Sequence, residues 1–167
     1  GIRAAGVDMT GANLTDIKAK GANFTDAQLE GAIAHRADLE EAVLENANLR
    51  GIQMRDAILK GVKAKAVDFR NADLTRVDLR EGELDNAIIN AGSNLHGANV
   101  KGVTGTLQYE DSDGISGGMQ VEEAVGISDQ VDAAKNRSGI AKWLAKPAQV
   151  IGKATKRVGA FIKQPIS

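Results

Sequence analysis

The chain contains no cysteine. That excludes disulfides, thiolate metal sites and cysteine nucleophiles, and it leaves the compartment open. Aromatic residues make up only 3% of the 167 residues. Most cores draw their bulk from Phe, Tyr and Trp, so a core here must be assembled from small side chains used many times. No apolar run approaches the length of a membrane-spanning helix. The stretch from Ile2 to Asn13 lacks the apolar segment of a signal peptide. The formal net charge of -1 supplies no overall field toward nucleic acid or an anionic surface.

Repetition is what the sequence has in abundance. Divided into fives from Ile2, its third residues run Ala4, Met9, Leu14, Ala19, Phe24, Leu29 and onward to Leu84 and Ile89, and all eighteen are apolar. The first residue of each group is Ala, Val or Ile, with Gly82 as the exception. The second is often Asp or Asn, as in Ala12-Asn13-Leu14, Ala47-Asn48-Leu49 and Ala72-Asp73-Leu74. Near Gly92 the frame slips by one residue, then resumes as Ser93-Asn94-Leu95-His96-Gly97 and Ala98-Asn99-Val100-Lys101-Gly102, giving twenty groups. A period of five fits neither the helix at 3.6 nor the strand at 2.0. A solenoid that turns a corner every five residues keeps the first and third positions inward and lets stacked coils satisfy the backbone.

The pattern A-(D/N)-L-x-x over roughly residues 2–105 resembles the pentapeptide-repeat family. The resemblance implies an all-β solenoid, a right-handed quadrilateral β-helix with four groups per coil and about five coils. Residues 20 apart then stack. Leu29 is expected over Leu49, with Leu49 buried in mid-column, and Val100 over Leu79 after the slip. The fourth positions form columns: Lys20, Glu40, Lys60, Arg80, Lys101; Glu45, Lys65, Asp85; and Glu30, Arg50, Arg70. Opposite charges meeting along them would hold the register. Inward volume is also balanced within groups: Ile2 precedes Ala4, Ile17 precedes Ala19 and Val62 precedes Ala64. Ala32 with Ala34 breaks that balance.

The domain reading is 1–107 for the β-helix, 108–127 for an acidic glycine-containing linker, and 128–167 for a two-helix basic amphipathic tail. Glu110, Asp111, Asp113 and three glycines make Gln108 to Gly118 read as a loop. From Gln108 to Ala134 there are seven acids and no bases; from Lys135 to Ser167, eight bases and no acids. Ser128 and Asp129 can cap a helix that Pro147 breaks, and Val150, Ile151, Ala154, Val158, Phe161 and Ile162 then recur at helical spacing.

No catalytic signature, cofactor motif or metal cluster is expected, so the chain reads as a non-enzyme. His35 and His96 both fall on outward fourth positions, three coils apart and too distant to share a metal. Four outward second positions are apolar, Ile33, Val43, Ile58 and Ile88, and they fall on four different sides. With Trp143, Leu144, Phe161 and Ile162 they are the candidate contacts for a partner or a cap. The expected function is a scaffold presenting a rigid surface to a protein partner, with end-to-end homodimerisation open and no direct nucleic-acid binding.

Two alternatives stand beside it. Some pentapeptide-repeat proteins protect DNA gyrase by mimicking DNA, but residues 1–107 hold thirteen bases and fifteen acids, a weak acidic excess. The other is a membrane-peripheral or secreted effector, with Lys153, Lys156, Arg157 and Lys163 facing an anionic surface. A cytoplasmic location is favoured; export stays open because the sequence starts at Gly1 rather than Met.

Overall fold

The computed structural model describes residues 1–111 and 114–120. Parallel bridges tie each second-position residue to its counterpart four groups further on, from Arg3–Asn23 and Asp8–Gln28 up to Asp68–Ile88. Four groups therefore close one coil, and the coils stack about 4.8 Å apart. Beyond the slip the pairing becomes Asp73–Asn94, Asp78–Asn99 and Glu83–Thr104, each partner displaced by the one extra residue. Val100 lies over Leu79, whose N–H donates to the Asn99 carbonyl.

The group 47–51 shows why this sequence makes this coil. Asn48 N–H donates down to the Ala27 carbonyl, while Leu49 N–H and Gly51 N–H donate up to Asp68 and Arg70 carbonyls, all at 2.8–2.9 Å. The corner is a turn in which Ile52 N–H donates to the Leu49 carbonyl. Only the fourth N–H lacks a ladder partner, and the Asn48 side chain supplies one, its Oδ1 accepting from Arg50 N–H at 3.2 Å. Thr10, Thr15, Thr25, Arg70 and Arg80 are capped in the same way by Asp8, Asn13, Asn23, Asp68 and Asp78. The Asp/Asn preference at the second position is thus a backbone requirement. The fifth position has its own rule. From Gly6 to Asn86 every one is left-handed, eleven of them non-glycine, with φ between 54 and 61°. Negative φ at the fourth residue and positive φ at the fifth make each corner a type II turn, at a cost that glycine escapes.

The third positions fill the column. Leu49 is completely buried, as are Leu44, Leu59, Leu79 and Met54. Ala32 and Ala34 are buried too, and Ile33 between them points outward and is half-buried. Phe24, on the opposite side of that coil, supplies the missing bulk. A void of about 10 Å³ remains there, bordered by Phe24, Ala34, Leu49 and Met54 among others. Its lining is wholly apolar, so it offers a water no hydrogen bond. At Gly82 a Cβ would stand 3.0 Å from the Leu79 carbonyl in its own turn and 3.2 Å from Val62 Cγ1 in the coil beneath.

The slip is patched by side chains. Asn90 Oδ1 accepts from Asn71 and Gly92 N–H at 2.9 and 3.0 Å. Buried Ser93 donates its hydroxyl to the Phe69 carbonyl at 2.9 Å.

Above the last full coil the architecture changes. β1 (Ile88–Asn90) pairs in parallel with β2 (Thr106–Asp111), which pairs antiparallel with β3 (Gly114–Gln120). The reading of Gln108 to Gly118 as a loop is therefore corrected. Leu107 and Tyr109 alternate inward on β2 and are buried at the top of the core, which outweighs the loop-like composition around them. The register also returns to that of the lower coils at Ile88–Gln108, one residue being saved at Gly105. The basic two-helix tail from 128 on lies outside the described residues.

Candidate interaction surface

The corners divide the outer surface into four sides. The first carries groups 2–6, 22–26, 42–46, 62–66 and 82–86, and the others follow in chain order. The apolar candidates separate as the register requires. Val43 lies between Asn23 and Lys63 on the first side, Ile88 next to Asp68 on the second, Ile33 between Asn13 and Gln53 on the third, and Ile58 between Asp38 and Asp78 on the fourth. Ile58 is 40% exposed; the other three are half-buried. No two are neighbours, so they build no common patch. Each instead forgoes the side-chain cap that Asp or Asn gives its group. Trp143, Leu144, Phe161 and Ile162, with Lys153, Lys156, Arg157 and Lys163, lie outside the described residues.

Charge is what the surface presents. The fourth side interleaves five bases (Lys18, Lys20, Lys60, Arg80, Lys101) with five acids (Asp38, Glu40, Glu41, Asp78, Glu81). On the third side Arg36, Arg55 and Arg76 are matched by Asp16, Asp56 and Asp73. His35 and His96 stand in one column of that side with Arg55 and Thr75 between them, three coil spacings or about 14 Å apart. Among the described residues no group of three His, Cys, Asp or Glu is placed to hold a metal ion. None of their helices is long and apolar enough to cross a membrane.

The fourth-position columns do stack, but they make fewer ion pairs than the sequence suggests. Lys20 meets Glu40 at 2.9 Å. Lys60 turns aside to Glu81 at 3.8 Å, and Arg80 to Asp78 at 2.6 Å in its own group. Glu45, Lys65 and Asp85 form no ion pair among the described residues. The regular ladder runs instead along a corner column of fifth positions, Asp16, Arg36, Asp56 and Arg76. Arg36 grips Asp16 with two bonds of 2.8 Å, and Arg76 grips Asp56 with two of 2.7 Å. The Arg36 guanidinium holds the Asp16 carboxyl below the usual carboxylate range, and Arg76 does the same for Asp56. At Asp73, burial pushes the carboxyl up, but bonds from Thr75 and Arg55 outweigh it and the net direction is down. The fifth-position ladder was visible in the sequence as signs that alternate from one coil to the next.

One ion pair differs from the rest. Arg70 Nε and Nη2 hold Asp68 in its own group, and Nη1 holds both carboxylate oxygens of Glu110 on β2 at 2.7 and 2.8 Å. Asn90 pairs with Glu110 in the ladder between β1 and β2, so Arg70 reaches past a whole coil. Its side chain is 19% exposed. Asp68 first, then Glu110, raises its already high pKa.

The pentapeptide-repeats family model matches residues 22–61 and 59–90, in eight copies. No curated protein matches the chain. Among solved structures, a pentapeptide repeat protein (Rfr23) from the cyanobacterium Cyanothece 51142 is 28% identical with a TM-score of 0.50, covering 59% of this chain and 60% of that one. QnrB1, a plasmid-mediated fluoroquinolone resistance protein, is 23% identical with a TM-score of 0.31, covering 60% of this chain and 59% of that one. HetL, a pentapeptide repeat protein involved in heterocyst differentiation regulation in the cyanobacterium Nostoc, is 23% identical with a TM-score of 0.21, covering 60% of this chain and 58% of that one. The chain therefore spans about 60% of the length of these structures. With the five-residue period, the four-group coil and the family match in agreement, residues 22–90 are pentapeptide repeats and the coils they build form a quadrilateral β-helix.

Proposed function

We propose that the chain is a non-enzymatic scaffold that presents a rigid, charge-mixed surface to a protein partner. One observation carries the reading: all four sides carry both acids and bases over a frame whose backbone groups are nearly all paired. Such a surface offers dense, pre-positioned complementarity without a pocket, and interleaved charge favours selectivity over raw affinity. A mimic of DNA needs one continuous acidic side; the third and fourth sides balance their acids against as many bases, and bases interrupt the acids on the first (Arg3, Lys63, Lys65) and second (Arg50, Arg70) sides too.

Cross-linking mass spectrometry on the full chain with a partner captured from its native lysate tests the proposal. Cross-links at side lysines such as Lys18, Lys60 and Lys63 are expected. Contacts confined to residues beyond 120, or no specific partner, would contradict it. A gyrase supercoiling assay with a quinolone separates the mimic reading: the scaffold reading expects no protection.

A further inference from the structure

β2 is attached to the solenoid unlike any other segment. Each regular side is stitched to the coil below and, except in the last coil, to the coil above. Between β1 and β2 the paired register runs over three residues, Ile88–Gln108, Ile89–Tyr109 and Asn90–Glu110, where a regular side has one bridged pair, so β2 is held there as a strand of its own. Its other partner, β3, contains Gly114, Gly117 and Gly118 in seven residues, and the register between them shifts at Tyr109/Glu110. Glycine inside a strand and a register break both weaken pairing.

The residue leading into β2 is a ready pivot. Gly105 has φ +96°, and a Cβ there would lie 2.6 Å from the Asp85 backbone nitrogen and 2.8 Å from its Oδ1. No other residue type fits that backbone beside Asp85. Here the spacing between coils also shortens by one residue, so β2 does not continue the corner geometry beneath it. On its inner face Leu107 and Tyr109 cover the end of the core. On its outer face Glu110 is held by Arg70 Nη1, the one ion pair among the described residues that joins positions 40 apart in sequence.

We propose that β2 is a latched strap: it pivots at Gly105, is held shut by Arg70 on Glu110, and opens as a unit while the coils beneath it stay folded. Opening frees the upper edge of β1 and the apolar end of the column that Leu107 and Tyr109 cover. The latch belongs to the fold itself and does not depend on the scaffold reading. Arg70 is also fastened to Asp68, so its guanidinium stays in place when β2 lifts and is positioned to receive Glu110 again.

Amide hydrogen exchange read by mass spectrometry on the full chain tests it, comparing wild type with Glu110→Gln at low and at high salt. Weakening a charge-assisted bidentate pair that holds a local opening equilibrium shut should speed exchange over 106–111 by about tenfold. Exchange over 42–61 should not change, and 0.5 M salt should move wild type toward the variant. Glu83→Gln, an exposed acid one side away with no ion pair among the described residues, is the control and should leave 106–111 as in wild type. Unchanged exchange over 106–111 in Glu110→Gln would overturn the latch. Acceleration spread equally through 42–61 would also overturn it, because β2 would then open only with the whole solenoid.

Discussion

The middle coils and the strand pair above them solve the same problem in opposite ways. In the coil 42–61 every side has a neighbour above and below, so regular stacking closes the backbone bonding and side chains need only fill the column. Leu44, Leu49, Met54 and Leu59 do so with nothing exposed. Over 103–120 no further coil stacks on top among the described residues, and individual residues take over: Gly105 bends the chain, Leu107 and Tyr109 plug the core, and Arg70 ties the strand down. Stacking spreads the backbone bonding of each side over two neighbours; a strand fastened by a few residues depends on each of them. Repeat proteins are near one-dimensional, with each unit stabilised by its neighbours, and an end must find a substitute for the neighbour it lacks.

The sharpest way to break the comparison is Leu49→Asp. It places a charge in the middle of a column with no partner in reach, and such burial costs more than a domain of this size can spare. No cooperative thermal transition by circular dichroism is expected. A melt close to wild type would mean that the third position does not point inward.

Gly105→Ala should cost less, about 1–3 kcal/mol, because the added Cβ meets backbone at a strained φ. Gly61→Ala is its counterpart in the stack. It shares a positive φ of 65° but meets only Glu41 Cγ at 3.5 Å, so about 1 kcal/mol is expected. Denaturant melts of the two variants measure the difference between a hinge and an ordinary corner, and equal losses would erase that distinction.

Asn23→Ala removes the side-chain acceptor of Thr25 N–H, now at 2.9 Å, and should cost about 1 kcal/mol in the same assay. The equivalent change Val43→Ala, in a group that has no cap, should remove no hydrogen bond and only a small apolar contact.

The smallest effect belongs to the corner ladder. Asp16 and Asp56 have carboxyls held low by Arg36 and Arg76. A depressed folded value means that their contribution is complete above the ordinary carboxylate value near pH 4 and is lost as pH falls through the lower folded value. Asp16→Asn should therefore flatten the acid limb of a stability–pH curve slightly and leave neutral pH almost unchanged, since exposed pairs are screened.

The column was legible because burial leaves a strict mark: third positions from Ala4 to Ile89 cannot be polar, and the slip at Gly92 shows as a broken frame. The reasons behind the second and fifth positions were harder to read. Asn13 and Asp68 look like ordinary surface residues until the orphan N–H two residues on is counted. Gly6, Gly11, Gly21, Gly31, Gly51 and Gly61 do mark the corner, but Arg36, Glu41 and Ala66 adopt the same left-handed backbone and blur the signal. β2 was obscured because alternation of Leu107 and Tyr109 lasts only one period amid acids and glycines. The Arg70–Glu110 contact joins residues that neither the five-residue period nor the coil repeat pairs directly.

The claim beneath all of this is a rigid stack of four-group coils. Spin labels at positions 20 and 101, four coils apart in one column, test it most directly by pulsed electron resonance. A narrow distribution centred near four coil spacings, about 19 Å between backbone sites, is the expected result. A broad distribution, or a centre near the roughly 26 Å that coils of three groups would give at the same spacing, would contradict it.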